Sequence, residues 1–251
     1  CKDTASSQAR VPYASIVLSF SFENAHHSQL HQKGVSHLWH ADLVQVYREA
    51  LILSHLSHPC IVHFYGLINE TSPISDSNSR MMQGGLVMEL CDCSLQYLLD
   101  RGPIELAAAI NIAWQIAQGL NYIHNEAPIQ LVHSDLKPQN ILIKGGTQVK
   151  ICDFGISDPI VMSTLLGSFV SFGQSSGSGG GGGTLLWTPP EVLAVFGRPG
   201  TKAEPSVARD IYAFGMILYE LITRKRPFAE LGRNLDVGMF VQQVVGNQHS
   251  P

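Results

Sequence analysis

Four short segments carry side chains able to do chemistry, and they follow one another in a fixed order. They are His133-Ser-Asp135-Leu-Lys137-Pro-Gln-Asn140, Asp153-Phe154-Gly155, Thr184-Leu-Leu-Trp-Thr-Pro-Pro190-Glu191 and Asp210-Ile-Tyr-Ala-Phe-Gly215. Asp135, Lys137 and Asn140 fall on a loop between two expected strands, and Asp153 follows the next hairpin. Two acidic or amide oxygens, one lysine and one more carboxylate at converging strand ends suit a magnesium–phosphate reaction. Mg2+ takes hard oxygen ligands and shares them with substrate phosphates. Lysine neutralises a phosphate as a point charge, and a remaining aspartate can orient a hydroxyl and accept its proton. Asp, Asn and Gly are also common turn residues, so any one triplet is weak; the ordered set is what accident rarely supplies.

The elements that must position these groups are legible in part. A strand is expected over residues 13–22, rich in Ile, Val and Phe, then a His/Gln/Ser loop to residue 40. Asp42-Leu-Val-Gln45 has capping-box form and opens a helix through Leu43, Val46, Tyr47, Ala50, Leu53 and Leu56, ending near Ser57 because His58 precedes Pro59. Residues 61–68 read as a strand, 71–85 as a loop and 85–90 as a second strand. A short helix is expected over 94–100, broken by Gly102-Pro103. A long amphipathic helix follows over 104–125, with Leu106, Ile110, Ala113, Ile116, Ala117, Leu120 and Ile123 on its apolar face. Short strands are expected at 130–132, 141–143 and 149–151, the last two joined by a Lys144-Gly-Gly-Thr147 turn. Residues 173–183 form a Gly/Ser tract, read as an insertion in a loop of one domain. Helical pattern resumes over 185–195 and 208–223, with 210–222 apolar on nearly every face, as in a central buried helix.

The 251 residues, 45% hydrophobic, bury a sizeable core and exclude disorder throughout. A net charge of −4 leaves no basic footprint for nucleic acid or an anionic membrane. No apolar run is long enough for a membrane span, and no signal peptide is evident. The five cysteines make no disulfide framework, which points to a reducing, cytoplasmic setting. The chain opens at Cys1 rather than Met, as a fragment or processed form would.

The ordered segments resemble the eukaryotic protein kinases: an HRD-type loop, a DFG triplet and an APE-like Pro190-Glu191 in the family's order. His58-Pro-Cys-Ile-Val and Leu186-Trp-Thr-Pro-Pro-Glu191 look like the tyrosine-kinase-like group of Ser/Thr kinases. The resemblance implies an α+β, bilobal fold, with a partial β-rich small lobe over 1–90 and a mainly helical large lobe over 91–251 that lacks the last helices. It implies ATP and Mg2+ as cofactors and a protein substrate. By the same resemblance Asp135 is the catalytic base, Lys137 neutralises the transferring phosphoryl group, and Asn140 and Asp153 hold Mg2+. Met88 falls at the gatekeeper position, with Glu89, Leu90 and Cys91 as a hinge whose backbone bonds adenine, and Leu142 floors the adenine. Glu49, ten residues before Pro59, matches the helix glutamate that pairs with a strand lysine. Leu53, Phe64, His133 and Phe154 match an apolar spine standing on Asp210. Thr184 matches the substrate-site threonine of Ser/Thr kinases.

The chain also departs from the family. Ser134 replaces the arginine that meets an activation-segment phosphate. No glycine precedes Gly34, so no Gly-rich phosphate loop is visible. Lys33, sixteen residues before Glu49, is the candidate phosphate lysine; if the strand near residues 14–20 takes that part, Val17 or Leu18 stands in the lysine's place. These gaps support an alternative, a scaffold module with little catalysis. Glu191 is expected to be unpaired in a partly buried site.

Overall fold

The structure, a computed structural model, describes residues 17–24, 36–73, 80–160, 184–195, 203–231 and 236–246. Lys33 and the 173–183 tract lie outside the described residues.

The first part is a three-stranded antiparallel sheet with one helix. Strands β1 (Val17–Asn24), β2 (Phe64–Pro73) and β3 (Arg80–Met88) are ordered β1-β3-β2, and helix α1 (Ser36–Ser54) lies between β1 and β2 in the chain. β1 starts four residues and ends two residues later than expected, and Val17 pairs with Val87. Within the expected loop over 71–85, the described residues 71–73 and 80–85 are strand. β2 and β3 stay in register out to Pro73 and Arg80, because β1 gives β3 a second hydrogen-bonded edge along the same stretch. Residues 61–68 divide instead of forming one strand. Ile61 bridges Ile151 and Val62 N–H donates to Ile151 O at 2.9 Å, while sheet pairing begins only at Phe64. α1 starts at Ser36, not Asp42. No Gly or Pro interrupts 36–42, so the Asp42–Gln45 pattern sits inside the helix. It buries Val46, Ala50, Ile52, Leu53 and, just past its end, Leu56, but leaves Tyr47 half exposed.

The remainder is mainly helical around a small hairpin. Strand β4 (Cys93–Ser94) leads into α2 (Leu95–Arg101), where the Ser94 hydroxyl caps Tyr97 N–H. Helix α3 (Leu106–Asn121) continues as a wider π turn over Tyr122–Glu126. Strand β5 (Leu131–Val132), the 3-10 turn Pro138–Asn140, β6 (Ile141–Lys144) and β7 (Gln148–Ile151) follow. Gly145 and Gly146 take φ 59° and 76°, a left-handed pair at the centre of the Lys144–Thr147 turn in the three-residue connection. β8 (Asp158–Pro159) pairs with β5. The expected helix over 185–195 is split into a 3-10 turn, Thr184–Trp187, and α4 (Pro190–Leu193), because Pro189 has no N–H and bars helix at Thr188. Helix α5 (Val207–Thr223) and α6 (Val237–Val241) complete the described chain. α5 is not buried on every side: Ile211 and Ile222 face solvent, while Asp210, Ala213, Ile217, Glu220 and Leu221 face inward.

The largest correction concerns the face of α3. Leu106, Ile110 and Ala117, placed on its apolar stripe from periodicity, are exposed. The buried face runs through Ala109, Ile112, Ile116, Gly119 and Leu120. Close approach sets this rotation. A Cβ on Gly119 would stand 2.6 Å from Ile151 Cδ1 and 3.4 Å from both Cβ and O of Cys60. One core then runs from Leu53 and Leu86 through Ile116, Ile141 and Ile151 to Phe154 and Ile217. A second, smaller cluster joins Leu185, Leu193, Phe228, Phe240 and Val244. Among the described residues no helix is long and apolar enough to cross a membrane.

Gly119→Val places branched methyl groups where the Cys60 backbone already stands. It should lower unfolding free energy by about 2 kcal/mol, read as a fall in the urea midpoint. An unchanged midpoint would show that α3 does not pack this closely.

Candidate active site

Helix α5 begins the construction of the site. Ser206 caps it by accepting from Ala208 N–H, and Asp210 in its first turn is 1% exposed. The Asp210 carboxylate accepts from His133 N–H (2.7 Å) and Ser134 N–H (2.9 Å) and lies 2.8 Å from His124 Nε2. Two successive peptide donors aimed at one carboxylate force the loop to turn, and Ser134 adopts φ 70°, a left-handed value uncommon for a residue with a side chain.

That turn delivers the next residues together. Lys137 Nζ is 2.6 Å from Asp135 Oδ2, and Asn140 Nδ2 donates to Asp135 O (2.9 Å) and Oδ2 (3.2 Å). Asp135 Oδ1 is buried and has no hydrogen-bond partner among the described residues. Cys152 N–H donates to Asn140 O at 3.0 Å, so the end of the β6–β7 hairpin is fastened to the same loop just before Asp153. Asp153 also takes a left-handed φ, 67°. Phe154 is fully buried with its ring 5.0 Å from the His133 imidazole, and His133 Nε2 is 3.0 Å from Cys152 O. His133 is therefore a packed structural group. Leu53 and Phe154 belong to one core, with Phe64 packed against it.

Glu49, on α1, reaches this point from the sheet side. Its Oε1 accepts Phe154 N–H at 3.2 Å. Asp153 Oδ1 and Glu49 Oε2 each lie 3.5 Å from where a Cβ on Gly155 would stand. Burial and then the Asp153 carboxylate push Glu49 up to about 7, only partly countered by the Phe154 N–H bond. Asp153 thus faces Glu49. It reaches Asn140 through the 152–140 backbone bond, and no side-chain hydrogen bond is recorded between the two. β1, the strand beside β3, contains no lysine.

Met88 is buried at the end of β3. The Glu89 side chain turns inward to Lys144 Nζ (2.7 Å), Lys150 Nζ (2.8 Å) and His63 N–H (2.8 Å). Burial pushes this carboxyl up, but those three partners outweigh it and hold it below the usual range. Glu89 N–H is also taken, by His63 O at 2.9 Å. Glu89 is therefore a structural anchor through its side chain, which leaves only its carbonyl for a ligand. No bond between described residues engages Glu89 C=O or Cys91 N–H. Burial raises the Cys91 thiol to about 11. Leu142 is half-buried between Ile141 and Ile143, which point the other way into the core. Thr184 opens the 3-10 turn over Thr184–Trp187. Glu191 is exposed, so it carries none of the burial cost expected for it.

Sequence reasoning missed Arg48, His124, Lys144, Lys150, Asp158 and Arg209. No period or motif links them, because each finds its partner far along the chain.

Comparison with known proteins bears directly on this geometry. The family model for the protein kinase domain matches residues 28–249. Receptor-interacting serine/threonine-protein kinase 2 of Bos taurus is 35% identical over 242 residues, covering 94% of this chain and 42% of that protein. The serine/threonine-protein kinase CTR1 of Arabidopsis thaliana is 33% identical over 219 residues, covering 84% of this chain and 24% of its own length. Human mitogen-activated protein kinase kinase kinase 7 is 33% identical over 186 residues, 72% of this chain and 25% of the relative. The chain spans less than half the length of these curated relatives. A catalytic-type loop hung from Asp210, an Asp-Phe-Gly turn packed on it and a match over most of the sequence agree: the chain belongs to the protein kinase family, with that family's bilobal α+β fold.

Proposed function

We propose that the chain is the catalytic domain of a protein serine/threonine kinase, transferring the γ-phosphoryl group of ATP to a protein hydroxyl. The observation that carries this is the contact set of Asp135, Lys137 and Asn140, with Asp153 fastened beside them by the Cys152–Asn140 bond. The similar proteins named above are serine/threonine kinases, and Thr184 supports the same hydroxyl preference. We infer a lobe boundary near Glu89–Cys91 and, from the free Cys60, Cys91, Cys93 and Cys152, a reducing cytoplasmic setting.

The donor set fits Mg2+ and a phosphate tail. Asn140 offers an amide oxygen, Asp153 a carboxylate, and Asp135 a buried oxygen with no partner among the described residues. Bound Mg2+ would neutralise charge on the β- and γ-phosphates. Asp135 would orient the attacking hydroxyl and accept its proton. Lys137, held by Asp135, would meet the charge on the phosphoryl oxygens. The unengaged Glu89 C=O and Cys91 N–H form an acceptor–donor pair for the adenine edge, with Met88 behind it and Leu142 beneath. Glu49 awaits a cation, and Lys33 is the candidate to supply it.

Two measurements test the assignment. Asp135→Asn should lower phosphoryl transfer from MgATP to a protein substrate about 10²- to 10⁴-fold. Asp153→Asn should abolish transfer, and Lys33→Ala should lower it if Lys33 meets the phosphates. Nucleotide binding without transfer by the unaltered chain would sink the kinase reading in favour of a scaffold. The second test concerns Glu49. A carboxyl raised from 4.5 to about 7 on folding contributes stability below about pH 4.5 and loses it as pH climbs through about 7. Between pH 5 and 7.5, wild type should lose roughly 1–3 kcal/mol relative to Glu49→Gln in urea unfolding. Parallel pH curves would instead place a cation against Glu49.

A further inference from the structure

Asp158, five residues after Asp153, lies where three segments meet. Its Oδ1 is 3.6 Å from Arg48 Nη2, and its Oδ2 is 4.0 Å from Arg209 Nη1. Ser134 Oγ donates to Oδ2 at 3.4 Å, and Arg48 Nη2 also donates to Ser157 O. The three charged side chains are 8%, 12% and 15% exposed for Arg48, Asp158 and Arg209, so water screens them little. Position gives the cluster its meaning. Arg48 immediately precedes Glu49 on α1, and Arg209 immediately precedes Asp210 on α5. Asp158 itself is fixed by pairing with Val132, by Ile160 N–H on Gln130 O (2.8 Å) and by Ser157 Oγ on His133 O (3.2 Å). One carboxylate therefore ties the helix bearing Glu49 to the loop bearing Asp135.

Charge counting explains why Ser134 belongs here. Among the described residues, two guanidinium groups and one carboxylate leave a local charge of +1. A third cation at position 134 would need a further anion, whereas a hydroxyl donates to Asp158 and adds no charge. Among the described residues Arg48 Nε and Arg209 Nε are both buried without hydrogen-bond partners, so losing the carboxylate removes an acceptor from a place already short of them.

We propose that Asp158 is a positioning residue: a built-in anion that holds helix α1 against the catalytic loop, so that the site assembles without a phosphate on residues 161–183. This rests on the kinase reading above for its kinetic readout, but not for its structural one.

The test uses the chain freed of phosphate, confirmed by intact mass, with MgATP and casein as substrate. Amide hydrogen exchange is measured across residues 36–54. Phosphatase treatment should leave wild-type kcat unchanged. D158N should lose about tenfold or more in kcat, with KM for ATP within about twofold, and exchange in α1 should rise. D158E should recover most of the loss, and added acetate should restore part of the activity of D158A, a rescue that generic destabilisation does not give. Should D158N fail to fold, R209Q carries the same measurements with a smaller expected loss, about threefold. The proposal is overturned if D158N keeps both kcat and α1 protection, or if removing phosphate silences the wild type. A wild type that transfers no phosphoryl group sinks the kinase reading alone. The α1 exchange of D158N then decides this proposal, a rise supporting it and no change ending it.

Discussion

The carboxylate of Asp210 is the constraint on which the site is built. It accepts two successive peptide N–H groups, from His133 and Ser134, and faces His124 from the π turn after α3. Peptide donors seldom point the same way on adjacent residues, and they do so here because Ser134 is left-handed. A side-chain-bearing residue in that region costs on the order of 1–3 kcal/mol unless its surroundings hold it. Three charge-assisted contacts in a place closed to water supply the hold. The geometry of the loop carrying Asp135 is thus a property of a helix that the chain reaches much later, and α5 must be folded and docked before the loop has its shape.

From that anchor the order of the remaining links is short. His133 is fixed through its backbone by Asp210, and its ring then serves three neighbours, the Asp135 N–H, the Cys152 carbonyl and the Phe154 ring. Phe154 passes the constraint to Glu49 through its N–H. Asn140 meets Cys152 from the other side. Asp153, between these fastened residues, has little freedom, which suits a left-handed backbone and a carboxylate that must be presented rather than buried. Most links use a side chain, the exception being the Cys152–Asn140 backbone bond, so few of the identities can change without releasing the next.

The sequence shows the loop and its chemistry clearly because those residues are close together in the chain. His133 to Asn140 spans a single turn and its cap, and the Lys144–Thr147 turn is written in two adjacent glycines. Element boundaries were less legible, for physical reasons. Residues 71–73 and 80–85 read as loop from their polarity, yet they are strand because β3 has partners on both sides. Apolar spacing finds the inward Ile116, Leu120 and Ile123 but misplaces Leu106, Ile110 and Ala117, since the helix turns Gly119 toward β7. Glu89 looked like part of a ligand-facing hinge, and only the fold shows its side chain spent on Lys144 and Lys150. Lys33 stays outside the described residues, so the family register alone bears on it.

The placement of buried charge completes the argument. Only 14% of the chain is charged, yet Arg48, Glu49, Glu89, Lys150, Asp158 and Asp210 are all buried. Stability alone does not account for this, because apolar residues of similar volume are often at least as stabilising in such places. What the charges provide is direction: a carboxylate with two or three fixed donors has essentially one acceptable orientation, while a leucine has several. Glu89 illustrates the point at the hinge. By facing inward to two lysines and a peptide N–H, its side chain is spent on the protein, and among the described residues only the Glu89 C=O and the Cys91 N–H of this stretch are left unengaged. Asp158 does the corresponding work for α1. The cost of desolvating these six groups is accepted at the seams between segments, which is where a molecule that must hold several loops in register would place it; Glu220, buried on α5 with neither carboxyl oxygen hydrogen-bonded among the described residues, has no such role.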